Sequence, residues 1–256
     1  MSWPRCVSDP ARGLVAPRPG PGVCRVCFNL VLPTQDMCRA CRGGHHWLES
    51  VTPISYSLSG GWLHTELVAY KRDADAFVPD AMFSLGRILD RFLSTHELCI
   101  AGATDRVGKR FDVVTSVPSG DPRRDALHPL RRILGELVEP TRDRYERLLT
   151  SGPASAKSRG FAPDRFAVTR ELRQERVLLI DDMWTTGSSA QSAGAALLAA
   201  GAVSVSAVVI GRYLNRDYRD NRERVVGLSG EFDWSRCAIC CSGAASQRGQ
   251  ASGRGS

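Results

Sequence analysis

Apolar runs alternate with helical stripes along most of the chain. Val51–Leu58 (VTPISYSL) predicts a strand, ended by Gly60 and Gly61. In the following WLHTELVAYKR, Leu63, Leu67 and Val68 share one face of a short helix that closes at Lys71 and Arg72. Pro79 opens a longer helix, where Met82, Leu85, Ile88, Leu89 and Phe92 recur at helical spacing to about Ser94. Phe111–Gly120 (FDVVTSVPSG) predicts another strand, halted by Pro118 and Gly120. Asp121 and Pro122 have the character of an N-cap and first-turn pair, and Leu127, Leu130, Leu134 and Leu137 make the buried stripe of the next helix. Val177–Ile180 (VLLI) predicts a third strand, Ser188–Ala200 an alanine-rich helix stopped by Gly201, and Val203–Ile210 a last strand.

Strands separated by helices predict an α/β fold with a Rossmann-like parallel sheet. Runs such as VLLI, unbroken by polar residues, imply that both sheet faces are covered. Between Arg142 and Glu175 only Arg144–Thr150 (RYERLLT) suits a strand. The rest is too long and too polar for an ordinary connection and has the composition of a lid or binding loop, with disorder as the alternative.

Composition trims this picture at the ends. Residues 1–20 are rich in proline and glycine, and residues 242–256 lack any bulky hydrophobe, so both read as disordered tails. The expected organisation is a tail at 1–20, a cysteine module at 21–48, the α/β body at 49–235, and a cysteine-containing tail at 236–256. The net charge is +7, but Arg5, Arg12, Arg18, Arg248 and Arg254 against Asp9 place +4 of it in the tails. A remaining +3 on the body is weak ground for a basic groove, although basic tails bind polyanions loosely. The chain shows neither a membrane-spanning apolar run nor the apolar core of a signal peptide, so a cytoplasmic protein is expected. In that reducing compartment nine cysteines point to metal ligation or burial rather than to disulfides.

Cys24, Cys27, Cys38 and Cys41 form two C-x-x-C pairs ten residues apart. Two intervening residues let both thiolates of a pair reach one ion from a tight turn, and two such pairs complete a closed structural zinc site. His45 and His46 follow closely, either as substitutes for one ligand or as a polar linker. Cys237, Cys240 and Cys241 (CAICC) offer half a site that needs partners from elsewhere; reduced thiols are the alternative.

The richest chemistry lies in Val177–Ser189, VLLIDDMWTTGSS. Ligands of parallel α/β sheets bind beyond the carboxyl ends of the strands, where helix N-termini present free amides. Thr185, Thr186, Gly187, Ser188 and Ser189, just before a helix, make a hydroxyl and amide cradle for a phosphate. Asp181 and Asp182 would repel that phosphate, so they suit sugar hydroxyls, a magnesium ion, or both. A ribose 5-phosphate meets both demands, whereas an N-capping hydroxyl cluster accounts for the serines and threonines but not for the double acid.

VLLIDDMWTTGSS resembles the phosphoribosyl-pyrophosphate signature of type I phosphoribosyltransferases. The order of CxxC…CxxC, LVAYKR, VPSG and the acidic signature is similar to the competence-associated ComF family, over about residues 22–214. The resemblance implies that residues 49–235 are a phosphoribosyltransferase-like domain in which Asp181 and Asp182 hold the ribose hydroxyls and Thr185–Ser189 the 5′-phosphate. The turn Val117, Pro118, Ser119, Gly120 would hold pyrophosphate, with cations from Lys71, Lys157, Arg159, Arg123 or Arg124. The implied reaction displaces pyrophosphate from the anomeric carbon by a nitrogen nucleophile, with magnesium bound. Two departures stand out. Trp184 occupies a position where a small or aliphatic residue is usual, and the RGFNQ run expected after VPSG is lacking, with SRGFAPDRF (Ser158–Phe166) as a partial substitute. An accessory protein that engages single-stranded nucleic acid through its cysteine module and tails is the competing expectation, and a module that merely caps the sheet is the third.

Overall fold

The computed structural model describes residues 10–72, 79–104, 109–119, 125, 128–152, 160–228 and 230–241. In chain order, after a 3-10 turn at Pro10–Gly13, the elements are α1 (Arg39–Arg42), β1 (Ser50–Leu58), α2 (Trp62–Arg72), α3 (Pro79–Thr104) and β2 (Val113–Ser116). Then come α4 (Pro129–Arg132), a π-type turn at Ile133–Leu137, α5 (Glu139–Arg142), β3 (Leu149–Ser151), β4 (Phe166–Val168), β5 (Arg176–Trp184), α6 (Ser188–Ala199), β6 (Ser204–Leu214) and α7 (Asn221–Val226). The fold is α/β, around one parallel sheet in the order β1-β6-β5-β2.

Both faces of the sheet are covered, as its unbroken apolar runs require. Successive strand residues face opposite sides. Leu178 and Ile180 join Leu63 and Leu67 of α2 and Leu85, Ile88, Leu89 and Phe92 of α3. Val177 and Leu179 join Ala190, Ala193 and Leu197 of α6 together with Cys24, Cys27, Cys38 and Cys41. The four α3 side chains are at most 1% exposed. At roughly 1.5–3 kcal/mol for each such side chain buried, they make α3 the main cover of its face.

Both sheet edges are also closed, which removes open pairing groups. Along β1, Tyr56 N–H donates to Val15 O (2.8 Å) and Val15 N–H to Ser55 Oγ (2.8 Å). Residues 10–16 therefore do not form part of a disordered tail; Leu14 lies in the core at 4% exposure. Pro53 sits on this edge strand, where a missing N–H is tolerated. Along β2, Val114 N–H donates to Arg144 O and Glu146 N–H to Val114 O, each at 2.9 Å.

The structure corrects several expected boundaries. α3 continues past Ser94 to Thr104 because polar residues that interrupt its stripe find distant partners: Glu97, 2% exposed, accepts from both Arg144 Nη1 (2.7 Å) and Arg144 Nη2 (2.9 Å). β5 runs through both acids to Trp184 instead of stopping at Ile180. The segment after VPSG enters helix at Pro129 behind His128, whose Nδ1 accepts from Leu130 N–H (3.3 Å); Asp121, Pro122 and Leu127 lie outside the described residues. The long polar stretch contains a β3–β4 hairpin, so RYERLLT is strand only at its end and Phe166–Val168 supplies its partner. No helix among the described residues is long and apolar enough to cross a membrane.

Candidate functional site

β2 and β5 end at the same edge of the parallel sheet, and α6 begins there. Between them lies a cleft of about 370 Å³, lined by Lys71, Val117, Pro118, Ser119, His128, Pro129, Asp181, Asp182, Met183 and the loop Thr185–Ser189. It thus brings together most of the residues selected from sequence. Gly120, Lys157, Arg159, Arg123 and Arg124 lie outside the described residues.

The two acids are not equivalent. Asp182 is 5% exposed; Lys71 Nζ stands 2.6 Å from its Oδ2, and the Tyr70 hydroxyl donates to the same oxygen. Burial pushes the Asp182 carboxyl up, but Lys71 and Tyr70 outweigh it and hold the group below the ordinary carboxylate range. Asp181 is half-buried, and its Oδ1 accepts from Asp182 N–H at 2.9 Å. Burial, then the neighbouring Asp182 charge, raise its pKa to about 7 against the pull of Lys71. Lys71 lines the cleft as expected, yet its ammonium is held by Asp182. Burial also keeps His128 below its ordinary value, despite the opposing pull of Asp182, so at neutral pH the ring is uncharged.

The hydroxyl loop folds around one glycine. Gly187 has φ +85°, and a Cβ there would strike the Trp184 ring, so both conformation and space demand glycine. Thr186 Oγ1 and Ser188 Oγ are 2.9 Å apart, and Ser188 N–H donates to Thr186 Oγ1 (3.4 Å) as α6 begins. Arg165, within SRGFAPDRF, donates to Ser189 Oγ (3.2 Å), which brings a buried guanidinium to the cradle. Across the cleft, Ser119 N–H donates to Asp125 Oδ1 (3.1 Å); Asp125 is 1% exposed and paired with Arg131 and Arg147. This pairing fixes the Val117–Ser119 turn.

Trp184, unexplained by ligand chemistry, packs behind the cradle in the same apolar cluster as the four N-terminal cysteines. Its indole N–H is buried with no hydrogen-bond partner among the described residues. The cysteines' ligand atoms lie within 4.8 Å of one another, all buried, and suit a metal such as zinc. Phe28, at φ +59°, turns the chain after Cys27, and its N–H returns to Cys24 O (2.9 Å). Cys41 N–H donates to Cys38 Sγ (3.5 Å). His45 stands outside this set: its ring stacks on Phe161 at 3.7 Å, while His46 is exposed. Arg212, 3% exposed, ties the module to the sheet by donating to Cys27 O (3.0 Å) and Trp184 O (2.9 Å).

Tyr70, His128, Asp125, Arg165 and Arg212 were not selected from sequence. Tyr70 carried a signal in its place beside Lys71, and Arg165 in its place within SRGFAPDRF; the others depend on contacts between distant segments. No protein-family model matches the chain, and no curated protein matches it. The functional reading therefore rests on the cleft itself.

Proposed function

We propose that the cleft binds phosphoribosyl pyrophosphate and transfers its phosphoribosyl group to a nitrogen acceptor, as a type I phosphoribosyltransferase-like protein of the ComF kind. One observation carries the reading: a half-buried acid, Asp181, and a hydroxyl-lined helix N-terminus, Thr185–Ser189, share one cleft with the Val117–Ser119 turn. The α6 amides and hydroxyls suit the 5′-phosphate, and Asp181 suits the ribose hydroxyls, which donate hydrogen bonds to it. Ser119 and the adjoining turn suit the diphosphate. Asp182 is committed to Lys71 and Tyr70, so its part is to orient Lys71 toward the leaving group.

Magnesium fits this cleft as a companion of the ligand: Asp181 is the carboxylate left to meet it, and the remaining ligands would come from diphosphate and water. When bound, the ion neutralises charge on departing pyrophosphate. In the reaction the anomeric C–O bond breaks with its electron pair leaving on pyrophosphate, and the acceptor nitrogen forms the new bond.

Isothermal titration of phosphoribosyl pyrophosphate, with and without magnesium, tests binding; pyrophosphate release with a panel of nitrogen acceptors tests turnover. Wild type should release heat, and Asp181→Asn should weaken binding at least tenfold, about 1.4 kcal/mol. Wild-type protein that gives no heat overturns the proposal, as does an Asp181→Asn variant that binds equally well.

A further inference from the structure

The half-site CAIC near the end of the described chain finds its partners on α3. His96 and Cys99, three residues apart, share one face of that helix. Residues 230–241 fold back so that Cys237 and Cys240 meet them. The four ligand atoms lie within 4.8 Å of one another. Cys240 Sγ is 3.3 Å from Cys99 Sγ, 3.1 Å from Cys237 Sγ and 3.5 Å from His96 Nδ1. Cys99 Sγ is 3.8 Å from the same nitrogen.

We infer that His96, Cys99, Cys237 and Cys240 form a second metal site that holds one zinc ion and staples residues 230–241 to α3. Three independent features converge on it. First, the four ligand atoms converge closely enough to share one ion: tetrahedral zinc with Zn–S of about 2.3 Å puts its sulfurs roughly 3.8 Å apart, so the 3.1 and 3.3 Å contacts need open by only about half an ångström to admit it. Second, the histidine is prepared. Its Nε2 lies 2.9 Å from the carbonyl of Trp234, which can only accept, so Nε2 carries the proton and Nδ1 turns its lone pair to the thiols. A ligating imidazole held by a backbone carbonyl in this way has fixed orientation and tautomer. Third, Cys240 N–H donates to Cys237 Sγ (3.3 Å), matching the Cys41-to-Cys38 contact in the N-terminal cluster.

The segment needs such a staple. Apart from Phe232, Trp234, Cys237 and Ala238 it buries little, and it ends in a single helical turn. The rings of Phe232 and Trp234 meet edge-on at 4.7 Å, and Arg91 of α3 lies 4.6 Å over the Trp234 ring. These contacts place the CAIC turn against His96, and the ion would lock it there. Cys241 takes no part; it is the control.

Zinc per chain, measured by elemental mass spectrometry on full-length protein purified under reducing conditions, tests the inference. Wild type and Cys241→Ser should carry two ions. Cys237→Ser combined with Cys240→Ser should carry one, and His96→Cys should keep two. Should the double variant fail to fold, the wild-type count still decides. One ion per wild-type chain overturns the proposal.

Discussion

Two adjacent aspartates in one strand end up in opposite electrostatic states, because neighbouring strand residues face different surroundings. Asp182 meets Lys71 and Tyr70; Asp181 meets burial and a like charge, which raise it to about 7. A carboxyl raised in the folded state binds protons more tightly there than in the unfolded chain. Its stabilising contribution is complete below the ordinary carboxylate range and is lost as pH climbs through about 7. Asp182, held below that range, behaves inversely: it stabilises at neutral pH and loses that effect on acidification. Urea denaturation from pH 5 to 8 should therefore show an Asp181-dependent decline in wild type that Asp181→Asn flattens. On the proposed function, phosphoribosyl pyrophosphate binding should tighten over the same interval, since an ionised Asp181 accepts hydrogen bonds from the sugar. Parallel stability curves for wild type and Asp181→Asn would show that Asp181 titrates normally.

The elements were legible wherever the signal was local. Apolar runs located the sheet strands, the C-x-x-C spacing the cysteine cluster, and the hydroxyl run the start of α6. Sequence reading ended β5 at Ile180 and α3 near Ser94 because charges there resemble turns. The partners that neutralise those charges lie far along the chain: Tyr70 is 112 residues from Asp182, and Arg144 is 47 from Glu97. Arg212 reaches farther still, to Cys27 across 185 residues. It is buried within β6, and its guanidinium donates to the carbonyls of Cys27, Trp184 and Tyr213. Its Nη2 also approaches Cys27 Sγ at 3.7 Å, where positive charge favours a metal-bound thiolate. Arg212→Met would leave these buried acceptors unmet at about 1–3 kcal/mol for each one that water does not reach. A loss of roughly 3 kcal/mol or more in chemical denaturation is expected, with faster transfer of zinc to a colorimetric chelator. Unchanged chelation kinetics would show that Arg212 supports only the sheet.

At the scale of the whole molecule, the two cysteine clusters stand in different relations to the cleft. The N-terminal cluster shares its apolar neighbourhood with Trp184, whose ring Gly187 abuts, and Gly187 lies in the hydroxyl loop that opens α6. The His96 cluster sits near the other edge of the sheet: two residues beyond Cys99, the Ala101 carbonyl accepts from Arg176, the first residue of β5. Glu97, between the two α3 ligands, accepts from Phe111 N–H just ahead of β2. Where each cluster holds an ion, its loss should lower the melting temperature, because each closes a segment too short to hold itself. Only loss of the N-terminal metal should reach the ligand, since an unsupported Trp184 frees the Gly187–Ser189 backbone from the geometry that aims its amides. Isothermal titration of the Cys24→Ser, Cys27→Ser variant should thus show phosphoribosyl pyrophosphate affinity reduced at least tenfold, while the Cys237→Ser, Cys240→Ser variant binds within about twofold of wild type. Equal losses in both would mean that the cleft responds to global stability rather than to the support behind Trp184.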